Sequence, residues 1–328
     1  MAVRVAYIGV GGIAGQHLAS VKKMPDAQIV GLCDIDKARL EARQKEFGGE
    51  IFTDPEQMLK SVKADTCFIC LPPYAHGPAE MACVKYGVPF IVEKPIALNV
   101  KTAKKIADAV KRAKLMAAAA YMNRYRASVA RARELLAGDP PALIYGGWIG
   151  GFPGSHPWLF DKKKSGGQIL EQTTHTVDLL RYLCGEAEAV ACYAASNKFV
   201  KEAINFKADC ASTVAIKMKS GAVANIMSAW VCRAGGGVFL SLFSPNYRID
   251  FSGWNHDVKI YHGNGLHVEE IRGEGNIFEI EDRAWINAVK AGKMTGVLSD
   301  YEDGLKSLAL CEAANISMAT GKPVKVKV

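Results

Sequence analysis

The sequence predicts an α/β N-terminal Rossmann domain with a parallel, doubly wound sheet, followed by an α+β C-terminal domain with a large, mostly antiparallel open sheet. Three observations carry this reading. Over the first 120 residues, short apolar runs alternate with amphipathic ones, the pattern of right-handed βαβ crossovers. A glycine-rich turn, Ile8-Gly9-Val10-Gly11-Gly12-Ile13-Ala14-Gly15, joins the first strand to the first helix. From residue 188 to about 272, strand-like runs are separated only by turn signals such as Lys219-Ser220-Gly221 and Asn264-Gly265, so they should pair antiparallel. A length of 328 residues suits about two domains, which the pattern divides into 1–122 and 123–328.

The elements follow in order. Strands are expected at Val3–Gly9, Gln28–Cys33, Glu50–Phe52, Asp65–Leu71, Pro89–Val92 and Met116–Tyr121. Helices are expected between them at 13–23, 36–46, 55–61, 75–86 and 100–114. The alanines of 116–121 favour helix locally, but their place after a helix argues for a strand. Past residue 122 the pattern changes. A helix (126–137) leads through Gly138-Asp139-Pro140-Pro141 to a strand at Ala142–Ile149, and a loop over 150–167 is rich in Gly, Pro and aromatics. One helix is expected over 168–183, stopped by Gly185. Two helices, near 278–291 and 301–319, close the chain.

Composition narrows the function classes. With 49% hydrophobic and 23% charged residues the chain is not disordered and can bury a core. The 41 Lys+Arg against 33 Asp+Glu leave a net charge of +8. The densest runs, Lys162-Lys163-Lys164 and the C-terminal Lys322, Lys325 and Lys327, lack the spaced aromatics of a nucleic-acid platform. We expect no nucleic-acid partner. Apolar runs fall short of the roughly 18–20 residues of a membrane span, and the N-terminus lacks a basic start and cleavage site. Nine dispersed cysteines fit a reducing, cytoplasmic setting. Cys67-Phe-Ile-Cys70 lies in a predicted strand, where alternation separates the thiols, and no metal site is expected.

Four motifs carry chemistry. The first is the glycine turn, which fits G-x-G-x-x-A. Gly9 allows the tight turn, Gly11 lets the backbone approach a pyrophosphate, and Ala14 lets the helix pack on the sheet. With Gly12 and Ile13 these residues form the predicted phosphate cradle, at a helix N-terminus whose free N–H groups favour anions. Asp34, 20 residues after Ala14, ends the next strand and is placed to accept from the ribose hydroxyls. An acid there repels the extra phosphate of NADP, so NAD is the expected cofactor. The second motif, Leu71-Pro72-Pro73-Tyr74-Ala75-His76, follows a strand, where loops line the ligand crevice. Leu71, Pro72 and Pro73 are placed to border the cofactor. His76 either faces it or sits in the first turn of the next helix.

The third is Glu93-Lys94-Pro95, again at a strand C-terminus and counted with the cofactor contacts. The proline biases Lys94 away from helical geometry, and its ammonium can hydrogen-bond a substrate oxygen and offset charge developing there. The fourth runs from Ser165-Gly166-Gly167 to Gly185. There Glu171, His175 and Asp178, spaced i, i+4, i+7, share one helical face. A histidine there can take a proton near neutral pH, with the carboxylates orienting it or binding hydroxyls. For substrate, Phe152, His156, Trp158 and Phe160, with Trp148 nearby, can wall a sugar or cyclitol between aromatic faces. Asn123 and Arg124, just past the last parallel strand, join the substrate candidates.

Taken together and in this order, these motifs resemble the Gfo/Idh/MocA oxidoreductases, which include glucose-fructose oxidoreductase and inositol dehydrogenases. The resemblance spans nearly the whole chain. It rests on the glycine motif, Asp34, Pro72-Pro73…His76, Glu93-Lys94-Pro95 and Gly166-Gly167…His175…Asp178. It implies a sugar or polyol substrate and catalytic roles for Lys94 and His175. It also implies a homodimer or homotetramer built through the open face of the C-terminal sheet. The residue four before the histidine is commonly Asp in sugar and inositol dehydrogenases; here it is Glu171, a longer carboxylate counted with the catalytic and substrate-binding candidates. The expected reaction is hydride transfer between a secondary alcohol and NAD. Two other readings stay open: glycoside cleavage assisted by transient oxidation, and an NAD(H)-binding sensor without turnover.

Overall fold

The structure is a computed structural model that describes residues 2–151, 156–195, 197–199 and 206–328. It divides into two compact units, Met1–Met122 with Asn276–Leu305, and Asn123–Gly275 with Lys306–Val328.

The first unit holds a six-stranded sheet of β1 (Val3–Ile8), β2 (Ala27–Cys33), β3 (Glu50–Phe52), β4 (Thr66–Ile69), β5 (Phe90–Glu93) and β6 (Ala117–Ala120). The order is β3-β2-β1-β4-β5-β6 and every pairing is parallel. The order reverses between β1 and β4, the switch point at which open α/β sheets bind ligands. β4, β5 and β6 are buried along their whole length, as expected of strands covered on both faces. The crossover helices are α1 (Gly12–Lys22), α2 (Lys37–Phe47), α3 (Pro55–Val62), α4 (Pro78–Tyr86) and α5 (Val100–Ala113). Their starts are written locally. Asp36, Asp54 and Asn99 each accept a hydrogen bond from a first-turn N–H, and Pro55 opens α3 with a φ already set for helix.

The sequence offers no boundary at residue 276, yet the chain returns there to the first unit. Helix α10 packs against α1. (Its range, Ile277–Ala291, lies far along the chain.) Trp285 and Ile286 enter the core formed by Val5, Tyr7, Leu18 and Phe68. The Trp285 indole donates to Thr66 Oγ1 at 2.9 Å, and Arg283 and Lys290 both reach Asp26 at 2.7 Å.

The second unit is built on a nine-stranded sheet of β7 (Leu143–Ile149), β8 (Ala187–Ala195), β9 (Ala211–Met218), β10 (Val223–Ala229), β11 (Gly237–Phe243), β12 (Tyr247–Ser252), β13 (Asp257–His262), β14 (His267–Ile271) and β15 (Val324–Lys325). Their order is β14-β13-β12-β11-β7-β10-β9-β8-β15. β7 and β10 run parallel; the other pairs are antiparallel. Helices α6 (Ala127–Gly138), α7 (Lys162–Ser165), α8 (Gln168–Glu171) and α9 (Thr174–Cys184) complete it, with α9 packed on α6, β7 and β11. Helix α11 (Tyr301–Thr320) begins in the first unit and continues in the second.

The helix expected over 168–183 is broken. The Thr173 N–H reaches back to the Gln168 carbonyl at 2.9 Å, one residue further than an α-helix allows, and α9 starts afresh. Side chains from the end of β10 hold the break open. Trp230 Nε1 donates to Gln172 Oε1 at 2.6 Å and Ser228 Oγ to Thr173 Oγ1 at 2.8 Å. All nine cysteines are free. Among the described residues no helix is long and apolar enough to cross a membrane.

If α10 completes the first core, Trp285→Ala should lower stability by about 3–5 kcal/mol in a denaturant titration. A loss no larger than that of an exposed substitution would place Trp285 outside the core.

Candidate active site

In the first unit the glycine turn laces three strand ends together. Gly9 adopts a φ of +83°, and its N–H donates to the Cys33 carbonyl at 2.8 Å. A Cβ built on Gly9 would stand 2.3 Å from the Cys70 carbonyl oxygen, so a side chain is excluded by both strain and space. Beside Gly11 and Gly12, at the start of α1, a Cβ would meet nothing within 4 Å. The backbone there is open to a close approach, and Ile13 is partly exposed beside it, whereas Ala14 is fully buried against the sheet. Asp34 Oδ2 accepts the Val10 N–H at 2.9 Å and Oδ1 the Asp36 N–H at 3.0 Å. The sequence shows no cation directly after Asp34, but α2 supplies one. Arg39 reaches the Asp34 carboxylate at 3.3 Å and Asp36 at 3.2 Å, leaving two acids against one base.

The two loops further along the sheet depart from expectation at their histidine and glutamate. His76 does not present its ring to a ligand. Its side chain is fully buried, with Nε2 donating to the Leu71 carbonyl at 3.1 Å and Nδ1 2.6 Å from Glu80 Oε1. It braces the Leu71-Pro72-Pro73 backbone against α4. Glu93, expected among the cofactor contacts, turns inward. It is 5% exposed, it meets His17 Nε2 at 2.9 Å, and it accepts the N–H of Lys94 at 2.9 Å. Lys94 is half-buried and its bond to Pro95 is cis.

In the second unit His175 stands at the start of α9, 4% exposed. Two indoles flank it: Trp148 at a ring separation of 6.2 Å and Trp254 at 6.0 Å, edge-on. The two tryptophans meet each other at 5.5 Å. Trp148 comes from the end of β7, as the sequence suggests. Trp254 is new. It sits in the turn after β12, and Arg126 donates to its carbonyl at 3.1 Å. The only local hint is a tryptophan placed in a Gly-Trp-Asn turn.

Asp178 does not orient the imidazole as expected. Its carboxylate is taken by Arg124, at 2.8 and 2.6 Å, and by Ser307 at 2.7 Å. This is a buried, two-pronged pair of the strong kind. Arg124 is therefore a strut rather than a substrate contact, and its guanidinium also stacks on Tyr182 at 4.6 Å. Asn123 is 2% exposed. Its Oδ1 accepts from Arg126 at 2.8 Å, while its amide N–H₂ has no partner among the described residues. Glu171 ends α8, half-buried. Of the expected aromatic wall, Trp158 pairs with His156 at 6.4 Å. Phe160 instead packs on a separate cluster with Phe206 and Trp230, and Phe152 lies outside the described residues.

Two family models match the two halves of this architecture. Residues 3–121 match the oxidoreductase family with an NAD-binding Rossmann fold, and residues 141–252 match the GFO/IDH/MocA C-terminal domain. The chain belongs to the Gfo/Idh/MocA oxidoreductase family. It is 25% identical over 344 aligned positions to the myo-inositol 2-dehydrogenase of Thermotoga maritima, across 99% of both chains. It is 30% identical over 186 positions to the scyllo-inositol 2-dehydrogenase (NAD(+)) of Bacillus subtilis, across 56% of this chain and 54% of that one. A levoglucosan dehydrogenase solved with NADH superposes with a TM-score of 0.90 at 18% identity, over 100% of both chains, a likeness of fold. The open backbone at Gly11 and Gly12, with Asp34 beside it, fits the NAD that the Gfo/Idh/MocA Rossmann domain takes.

His256, two residues past Trp254, has a φ of +54° and is 2% exposed. Its Nδ1–H donates to the Trp254 carbonyl at 3.1 Å. Burial, then the nearby Arg126 charge, pushes its pKa down to about 4. The folded protein therefore holds His256 neutral where the unfolded chain would protonate it. Stability should fall as pH drops from about 6.5 to about 4, by about 1.4 kcal/mol per pH unit from this group at most. Melting temperatures of the parent and His256→Gln across that window should converge toward low pH. Parallel curves would show that His256 is not held neutral.

Proposed function

We propose that the protein is an NAD-dependent dehydrogenase or reductase acting on a secondary alcohol of a sugar, cyclitol or sugar derivative. Lys94 and His175 act on the substrate oxygen. The observation that carries the reading is a buried imidazole walled by two indoles, in a chain whose family binds NAD. Aromatic faces suit the C–H faces of sugar rings, and a histidine among them suits proton transfer. The inositol dehydrogenases among its relatives support a polyol.

The nicotinamide, when bound, takes or returns the hydride. His175 removes the hydroxyl proton as general base. Lys94 donates to the same oxygen and stabilises its developing negative charge. Glu171 and the Asn123 amide bind neighbouring hydroxyls. Asp178 and Arg124 stay out of the proton path and fix α9, from which His175 projects. Asp34, paired acids outnumbering Arg39, favours NAD over NADP.

The test is a panel of inositols, hexoses, uronic acids and simple glycosides, read by the near-ultraviolet absorbance of NADH. One panel member should be oxidised. Lys94→Ala and His175→Ala should each lose roughly 10²–10⁴-fold in turnover while NAD binding persists. Full activity in both variants would sink the assignment. Glycoside consumed with no net NADH would move the reading to redox-assisted cleavage, and no turnover across the panel to a sensor.

The nine-stranded sheet carries an apolar outward face. Val223 is 51% exposed, Leu143 48% and Tyr145 40% on the neighbouring strands β10 and β7, and Tyr193, 72% exposed on β8, lies by register on the same side across β9. Exposed apolar side chains gathered on one face of a sheet mark an assembly surface, here between copies of the chain. Sedimentation velocity should report a dimer or tetramer; a monomer at micromolar concentration would overturn this.

A further inference from the structure

His17, on α1, is 1% exposed and has no part in the chemistry above. Its Nδ1 lies 2.7 Å from Asp282 Oδ1 and its Nε2 2.9 Å from Glu93 Oε1. Ionised carboxylates only accept, so each ring nitrogen can carry a proton toward its partner. Burial opposes a charged imidazole here, but Asp282 and Glu93 outweigh it and hold the pKa well above its ordinary value. Phe68 and Phe278 pack on the ring at 5.4 Å. The other titratable groups that face the cluster, Tyr7 and Cys70, are themselves pushed up by burial and stay neutral.

Apolar residues in this space would be no less stable, because buried ion pairs carry a large desolvation cost. What the ions provide is direction. Glu93 is the last residue of β5, and its Oε2 accepts the Lys94 N–H at 2.9 Å. A carboxylate tied at one oxygen can still turn; tied at both, it cannot. A line of bonds thus runs from Asp282 on α10, through His17 on α1, through Glu93, to the Lys94 backbone.

We propose that His17 is a positioning residue: the Asp282–His17–Glu93 chain of bonds fixes the Lys94 backbone, and with it the place of the Lys94 ammonium. The inference rests on the reading of Lys94 as the group that acts on the substrate oxygen.

The test combines steady-state kinetics on the panel substrate, NAD titration, and amide hydrogen exchange at Lys94. His17→Gln offers a single amide in place of two ring N–H groups, and Asp282→Asn keeps volume while removing the anchoring charge. Both should lower kcat on the order of ten- to a hundredfold, as a misplacement of about 1 Å would, with NAD affinity kept. Both should also hasten exchange at the Lys94 amide relative to amides of β4, a change that general loosening would not single out. Added to Lys94→Ala, His17→Gln should cost no further activity. Wild-type kcat in both folded variants, beside an inactive Lys94→Ala, overturns this inference alone. An active Lys94→Ala instead removes the role of Lys94, leaving exchange to judge the chain of bonds. Should His17→Gln fail to fold, Asp282→Asn carries the kinetics. In the unsubstituted protein the Lys94 amide should exchange as slowly as β5, and exchange at a loop's rate overturns the proposal without any variant or substrate.

Discussion

At Gly9 three strand ends meet in backbone contact. β1 turns there on a left-handed φ, the Gly9 N–H closes on the end of β2, and the Cys70 N–H closes on the Ile8 carbonyl at 2.8 Å. No Cβ fits between Gly9 and the Cys70 carbonyl. Because this approach is so close, the segments that leave it have little freedom. Val10 is drawn to Asp34, which sets the acid beside the opening of α1. Leu71 departs from the same junction, and His76 then holds its carbonyl. The cofactor-binding end of the first unit is thus organised from backbone outward, and side chains refine what one glycine permits.

The second unit depends on two buried arginines that follow one another closely in sequence. Arg124 clamps Asp178 and so sets α9. Arg126 gives each of its donors a separate duty: Nε to Asn123, one terminal nitrogen to the Glu274 carbonyl at 2.8 Å, the other to the Trp254 carbonyl. Burial pulls its pKa down only to about 10, so it stays charged at neutral pH. Leaving either carboxylate or carbonyl unpaired in this interior would be costly. Through these two arginines the segment just past β6 acts as a frame for the imidazole and its indoles.

What the sequence made legible was whatever is written locally. The alternation of runs, the helix caps, the glycine turn and Asp34 all act within a few residues or one crossover of each other. The turns between the C-terminal strands are equally local. The missed features depend on partners far along the chain. His17 has no helical-period signal, because its partners lie 76 and 265 residues away. The break after Glu171 exists because Trp230 and Ser228 compensate it from β10. Trp254 meets His175 from far along the chain, in a turn whose carbonyl Arg126 holds. For His76 and Glu93, a place after a strand end locates the loop but does not say which way each side chain turns.

The return of residues 276–305 to the first unit bears on how the chain is made. Domains are commonly pictured as folding in order as they leave the ribosome, the N-terminal one first. Here the six strands of the first sheet emerge early, yet the indole and isoleucine that close its core emerge only after the whole nine-stranded sheet but its last short strand. Until then α1 presents an uncovered apolar flank, with His17 still lacking Asp282. The nucleotide-binding unit is thus among the first parts synthesised and among the last completed, and a fragment ending at residue 122 would be an unfinished domain.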